Sequence, residues 1–143
     1  MMSEVQKADF KILRDGSWLH EGVKITRRRL AKLFADRALK RDEDGNYWLQ
    51  TPFEKYPVEV EDVPFVIVDY ETDGAALNLR TNMDDIIELG PDSVWELRGG
   101  VPYVEVRGGL FARVARAVLY NLVEEYGAKI TSRGANFPLG EMH

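Results

Sequence analysis

One pattern occurs twice in this chain, and the repetition constrains its fold more than any other feature. FKILRDGSWLHEG followed by ITRRRLAKLFADRALKR is echoed about 85 positions later by VWELRGGVPYVEVRGG followed by LFARVARAVLYNLVEEY. Each copy then leads to a short aromatic segment, NYWLQT or ANFPLG. Trp18 aligns with Tyr103, His20 with Glu105, Ile25 with Leu110, Arg28 with Arg113 and Phe34 with Leu119. Each half reads as hairpin, helix, strand, a ββαβ unit. Two copies give pseudo-symmetry rather than a solenoid, so the expectation is two lobes built to one plan.

Local chemistry supplies the elements. Asp15-Gly16, Asp73-Gly74 and Gly99-Gly100 accept the positive φ angles of tight hairpin turns, and each is flanked by alternating apolar and polar residues. Thr26 is placed to cap a helix with apolar positions Leu30, Leu33, Phe34 and Ala38, ending before Asp42. After the Asp44-Gly45 turn, Tyr47-Trp48-Leu49 has the aromatic bias of a strand that Pro52 halts. Val58 begins a clean alternation, and Phe65 to Val68 is apolar on both parities, as a strand entering the interior would be. Gly108-Gly109 is expected to separate the last hairpin from a second helix, with a stripe of Leu110, Val114, Ala117, Val118, Asn121 and Leu122 and a C′ glycine at Gly127. Strands outnumber helices and come as adjacent hairpins, which predicts an α+β fold with mainly antiparallel sheets and two principal helices. The expected division is a frayed segment over residues 1–9, a first lobe with the central hairpin over 10–82, and a second lobe over 83–143.

Composition narrows the function classes. The 143 residues suit one ordinary domain or two small lobes. Cysteine is absent, which removes disulfides, thiolate catalysis, iron–sulfur clusters and cysteine-based zinc sites. With two histidines, one of them the last residue, no metal site is expected, nor any cofactor. A net charge of −5 repels nucleic acid and anionic membranes, so neither is an expected partner. The segment MMSEVQKADF has no apolar core, and no apolar run approaches the roughly 20 residues needed to cross a bilayer. The expectation is a soluble, cytoplasmic protein, with a homodimer possible.

Several residues are candidates for chemistry. Arg27 to Arg29 open the first helix, where the macrodipole disfavours cations. Either an anion compensates them, or they meet the acidic strand with Glu59, Glu61 and Asp62. Arg107 precedes a Gly-Gly turn, with Arg113 beyond it, and Tyr103, Glu105 and Arg107 share one strand face by the two-residue period. His20 as a base would need an orienting carboxylate, and Glu105 occupies the equivalent position in the second copy. Glu54, after the Thr51-Pro52 corner, and Asp62, beside Pro64-Phe65, are carboxylates whose pKa burial would raise.

The ordered segments DGSWLHEGVKITRRRLAKLF, DGNYWLQTPFEK, VEVEDVPF, LRTN, PYVEVRGGLFARVAR and TSRGANFPLG resemble a bacterial family labelled domain of unknown function 1285, over nearly the whole chain from about Phe10. The matching positions are Trp18, Gly22, Arg28, Thr51, Pro52, Glu54, Asp62, Pro64, Phe65, Thr81, Asn82, Tyr103, Arg107, Gly108, Gly109 and Arg113. The resemblance implies a two-lobed α+β fold with repeated motifs and a ligand-binding role connected with signalling. Residues and resemblance together lead to one expectation. A non-enzymatic binding protein holds a small anionic ligand, a phosphate or carboxylate, between the repeats through Arg28, Arg107 and Arg113, with Trp18 or Tyr103 as an apolar wall. The alternatives are a hydrolase or transferase using Glu54 or Asp62 as acid or base, and a protein–protein interaction module.

Overall fold

In the computed structural model, which describes residues 4–5 and 9–140, the strands of the first half are β1 (Glu4–Val5), β2 (Phe10–Ile12), β3 (Trp18–His20), β4 (Val23–Lys24), β5 (Leu39–Arg41), β6 (Tyr47–Gln50) and β7 (Glu54–Val60). Between β4 and β5 lie helix α1 (Arg28–Leu33) and a π-helical turn (Phe34–Ala38). The strands form one sheet in the order β4-β3-β2-β7-β6-β5, with β1 running parallel to the start of β7. Two antiparallel meanders thus meet at a central parallel pair, in which Phe10 faces Val58 and Ile12 faces Val60. Most of the segment expected to fray, 1–9, lies outside the described residues.

Turn chemistry sets the hairpins. Gly16 sits at φ +88°, and Asp15 Oδ1 accepts the Ser17 amide at 2.9 Å as well as the Ser17 hydroxyl. At the β5–β6 turn, Asp42 Oδ1 accepts the amides of Asp44 and Asn46 at 3.0 and 2.9 Å, and Oδ2 accepts the Trp48 indole N–H at 2.9 Å. These bonds, the Trp48 one foremost, hold the Asp42 carboxyl below its usual range.

The helix departs from its expected form. Thr26 does not cap it; Arg27 occupies that position, with no side-chain capping bond. The buried residues are the small ones, Ala31 and Ala35, whereas Leu30 and Leu33 remain 38% and 50% exposed. Instead of continuing toward Asp42, the chain widens at Phe34 into i→i+5 hydrogen bonding and enters β5 at Leu39, whose amide donates to the Phe34 carbonyl.

The second half contains β8 (Phe65–Asp73), β9 (Ala76–Thr81), β10 (Ile86–Glu88), β11 (Trp95–Arg98), β12 (Val101–Arg107), β13 (Leu110–Val114), helix α2 (Arg116–Tyr126), β14 (Lys129–Ser132) and β15 (Ala135–Pro138). Its main sheet runs β10-β9-β8-β13-β12-β11, again two antiparallel meanders joined by a central parallel pair. Phe65 faces Ala112 and Ile67 faces Val114. The two halves are therefore similar, and the pairing registers match: Phe10 and Ile12 correspond to Phe65 and Ile67, and Val58 and Val60 to Ala112 and Val114.

This correspondence differs from the one expected. The repeated plan is a six-stranded sheet, not a hairpin-helix-strand unit: α1 connects the two meanders of its sheet, whereas α2 follows the second sheet in the chain. Leu110 to Val114, expected to start the second helix, form a strand, because Gly108 and Gly109 at φ +53° and +79° close a two-residue hairpin between β12 and β13. The helix begins at Arg116 and buries Val118, Leu119 and Leu122. The central hairpin, grouped with the first lobe on sequence grounds, is β8–β9 of the second sheet. The chain divides into two units at Met1–Pro64 and Phe65–His143.

The segment after β15 carries a sharp constraint. Gly140 has φ +78°, and a Cβ there would stand 2.6 Å from the Gly100 carbonyl oxygen. Gly140→Ala is expected to cost about 1–3 kcal/mol from the backbone conformation alone. A lowered urea midpoint at unchanged m-value would show it.

Candidate functional site

Cross-strand register lays a row of rings over one face of the first sheet. Phe10 on β2 faces His20 on β3, and Leu49 on β6 faces Tyr56 on β7. Phe10 and His20 stack with centroids 4.4 Å apart and 6° between planes. Tyr56 meets Phe10 edge-on at 5.6 Å, and Phe34, from the π-helical turn, does so at 5.9 Å. Phe34 and Ala38 on that turn, with Thr51 and Glu54 at the β6–β7 corner, complete a cavity of about 310 Å³. That is the lower end of the range for small-molecule sites, which are apolar pockets with a few placed polar groups.

The polar groups are held in place. Thr51 Oγ1 accepts the amides of Glu54 and Phe53 at 3.0 and 3.3 Å, and the Thr51 amide donates to the Glu54 carbonyl at 2.9 Å. This tight corner starts β7 at Glu54, and the two-residue period puts Tyr56 on the same face. The Tyr56 hydroxyl donates to Glu54 Oε2. That bond first, and burial second, push the phenol above its ordinary pKa, so it remains a proton donor. Among the described residues that line it, Glu54 is the carboxylate, and neither lysine nor arginine takes part.

The other sequence-derived candidates are placed as follows. Trp18 is 2% exposed, packs beside Phe34 at 6.1 Å, and its Nε1 has no hydrogen-bond acceptor among the described residues. It is core rather than an open wall. Arg28 is exposed and borders, with Arg27, Arg29, Leu30 and Leu33, an open hollow of about 670 Å³. On the acidic strand, Lys11 lies 3.3 Å from Glu59 and 4.0 Å from Glu61, and Arg14 lies 3.3 Å from Asp62.

In the second unit, Arg107 Nη1 donates to Asp85 Oδ1 at 3.0 Å, and its guanidinium lies over the Phe65 ring at 5.3 Å. The LRTN segment builds the loop that presents Asp85. Thr81 Oγ1 accepts the amides of Met83 and Asp85 at 3.2 and 3.1 Å, and Asn82 Oδ1 accepts the Val66 amide at 3.1 Å. Tyr103 and Arg113 are cross-strand partners. Tyr103 is buried under the Arg98 guanidinium, 4.5 Å from its centroid, and Arg113 Nε is enclosed. Glu105 Oε2 accepts the Gly109 amide at 2.9 Å, which fixes the β12–β13 turn, while His20 is engaged with Phe10.

Sequence reasoning singled out Glu54 and His20 but not the apolar residues and the phenol between them. Phe10, Leu49 and Tyr56 each read as ordinary strand residues; the signal that they share a face was their parity, and the signal for which strands adjoin was absent. Among the described residues no group of three or more histidine or acidic side chains is arranged to hold a metal ion, and no helix is long and apolar enough to cross a membrane.

Comparison with known proteins follows the same division of the chain. The N-terminal domain of the family described as domain of unknown function DUF1285 matches residues 3–63, and the C-terminal domain, described as protein of unknown function DUF1285, matches residues 64–139. No curated protein matches. The crystal structure of a DUF1285 family protein from Silicibacter pomeroyi DSS-3 is 32% identical, with a TM-score of 0.78, covering 94% of this chain and 80% of that one. One from Shewanella baltica OS155 is also 32% identical, with a TM-score of 0.68, covering 83% of this chain and 93% of that one. With both domains matched in order over almost its full length, and with two solved relatives at this identity, the chain belongs to the DUF1285 family.

Proposed function

We propose that this protein binds a small ligand in the aromatic cavity of its first unit. The observation that carries the reading is the convergence of Phe10, His20, Phe34, Leu49 and Tyr56 on one half-open cleft beside a positioned carboxylate, Glu54. Ring-lined space next to a fixed polar group is how proteins orient small molecules. Binding of this kind fits a regulatory or signalling role. The hydrolase or transferase alternative keeps Glu54 at the cavity but not Asp62, which is paired with Arg14 and takes no part in the lining.

Ala38→Leu, which fills the cavity from the π-helical turn, tests the proposal. Small aromatic probes are expected to raise the melting temperature of the wild type saturably and to leave that of the variant unchanged. Equal responses in the two proteins would place binding elsewhere.

A second reading attaches to the arginine hollow. Arg27, Arg28 and Arg29 gather exposed positive charge on a chain of net charge −5, which suits a phosphate or carboxylate. A thermal-shift series of phosphorylated metabolites checks it, since a ligand at 100 times its dissociation constant adds about 2.7 kcal/mol.

A further inference from the structure

The geometry points to the class of ligand the cavity takes: we propose a small organic cation, an ammonium group on an aryl or alkyl body, with its nitrogen at Glu54 and its body against Phe10, Phe34 and Tyr56. The inference rests on the cavity being the binding site.

Three observations carry it. Among the described residues that line the space, Glu54 supplies the negative charge and no lysine or arginine offsets it, the one basic side chain there being His20. An anion entering would face the Glu54 carboxylate at short range, whereas a cation would neutralise it. Next, the carboxylate is only half used: Oε2 accepts the Tyr56 hydroxyl, and Oε1 accepts no hydrogen bond among the described residues. An N⁺–H donor can take that oxygen without displacing Tyr56, whose bond holds the carboxylate in place. Finally, the walls are ring systems set edge-to-face and stacked around Phe10. Aromatic faces attract ammonium groups through their quadrupoles, and the effect grows when the cation is desolvated. The net charge of −5 adds a long-range field of the same sense. The raised pKa of Tyr56 agrees with a phenol that donates to an ionised Glu54.

An isosteric series tests the proposal: 2-phenylethylamine, 2-phenylethanol and 3-phenylpropionate, titrated by calorimetry into the wild type and into Glu54→Gln, Tyr56→Phe and Ala38→Leu. The amine is expected to bind about 10-fold more tightly than the alcohol, as a charge-assisted hydrogen bond does over a neutral one, and the acid most weakly. Glu54→Gln should bring the amine to the level of the alcohol and leave the alcohol unchanged. Tyr56→Phe should keep the preference for the amine, which separates loss of charge from loss of the local hydrogen bond. A urea midpoint for each variant establishes that it is folded. If the acid or the alcohol binds as tightly as the amine, or Glu54→Gln spares the amine, the cation proposal is overturned while the cavity reading survives through the Ala38→Leu loss. If none of the three binds the wild type, both fall together.

Discussion

Phe65→Ala is expected to destabilise the second unit by about 3–5 kcal/mol. The side chain is 0% exposed and sits in the parallel pair on which both meanders of its sheet depend. Its partner across the ladder is Ala112, itself fully buried, so no large side chain stands opposite to relax into the space. The Arg107 guanidinium over the ring would lose its apolar support and be left beside a void. Urea denaturation should show a lower midpoint with little change in m-value. A loss below about 1 kcal/mol would mean that the surroundings collapse efficiently, and the claim that this pair is the rigid centre of the sheet would not stand.

Ser132→Ala is expected to act on a comparable scale. At 0% exposed, Ser132 is a single hydroxyl that serves two backbone groups: Oγ accepts the Leu77 amide at 2.8 Å and donates to the Leu89 carbonyl at 2.7 Å. Leu77 belongs to β9 and Leu89 follows β10, just where the ladder between those strands ends with the Leu89 amide donating to the Leu77 carbonyl. The serine thus extends the ladder by one exchange and fastens β14 to the sheet edge. Removing the hydroxyl orphans a buried donor and a buried acceptor, at about 1–3 kcal/mol each. The same urea experiment measures the total, and hydrogen exchange at the Leu77 amide assigns it to the site. Unchanged protection at Leu77 would show that water replaces the hydroxyl and that the bond is dispensable.

Both effects depend on contacts between distant segments, and the same division separates what could be read from the chain from what could not. The Asp15-Gly16, Asp73-Gly74 and Gly99-Gly100 hairpins follow from turn residues whose backbone preferences are intrinsic. The duplication was visible, but in a register that equated two helices. Each half presents a hairpin near a helix, so segments with similar local patterns align even though they occupy different places in the topology. The parallel joins, Phe10 against Val58 and Phe65 against Ala112, leave no local mark. Leu110 to Val114 shows the limit well: its apolar residues satisfy a helical stripe, and only pairing with β12 and β8 made it a strand.

The site divides in the same way. Glu54 was legible because a carboxylate after a Thr-Pro corner is conspicuous, and Arg107 because an arginine before two glycines is. Asp85, the partner that occupies Arg107, was not, since it reaches the arginine through the Thr81-Asn82 loop. The amino-acid order alone determined the hairpins, the alternating faces, the α+β class and the absence of thiol chemistry, because these rest on near-neighbour preferences and on composition. Tertiary structure decided which strands adjoin, and hence that Phe10, His20, Leu49 and Tyr56 meet under a π-helical turn. A cavity assembled from four strands exists only once non-local pairing has chosen their order, and side-chain period fixes faces, not neighbours.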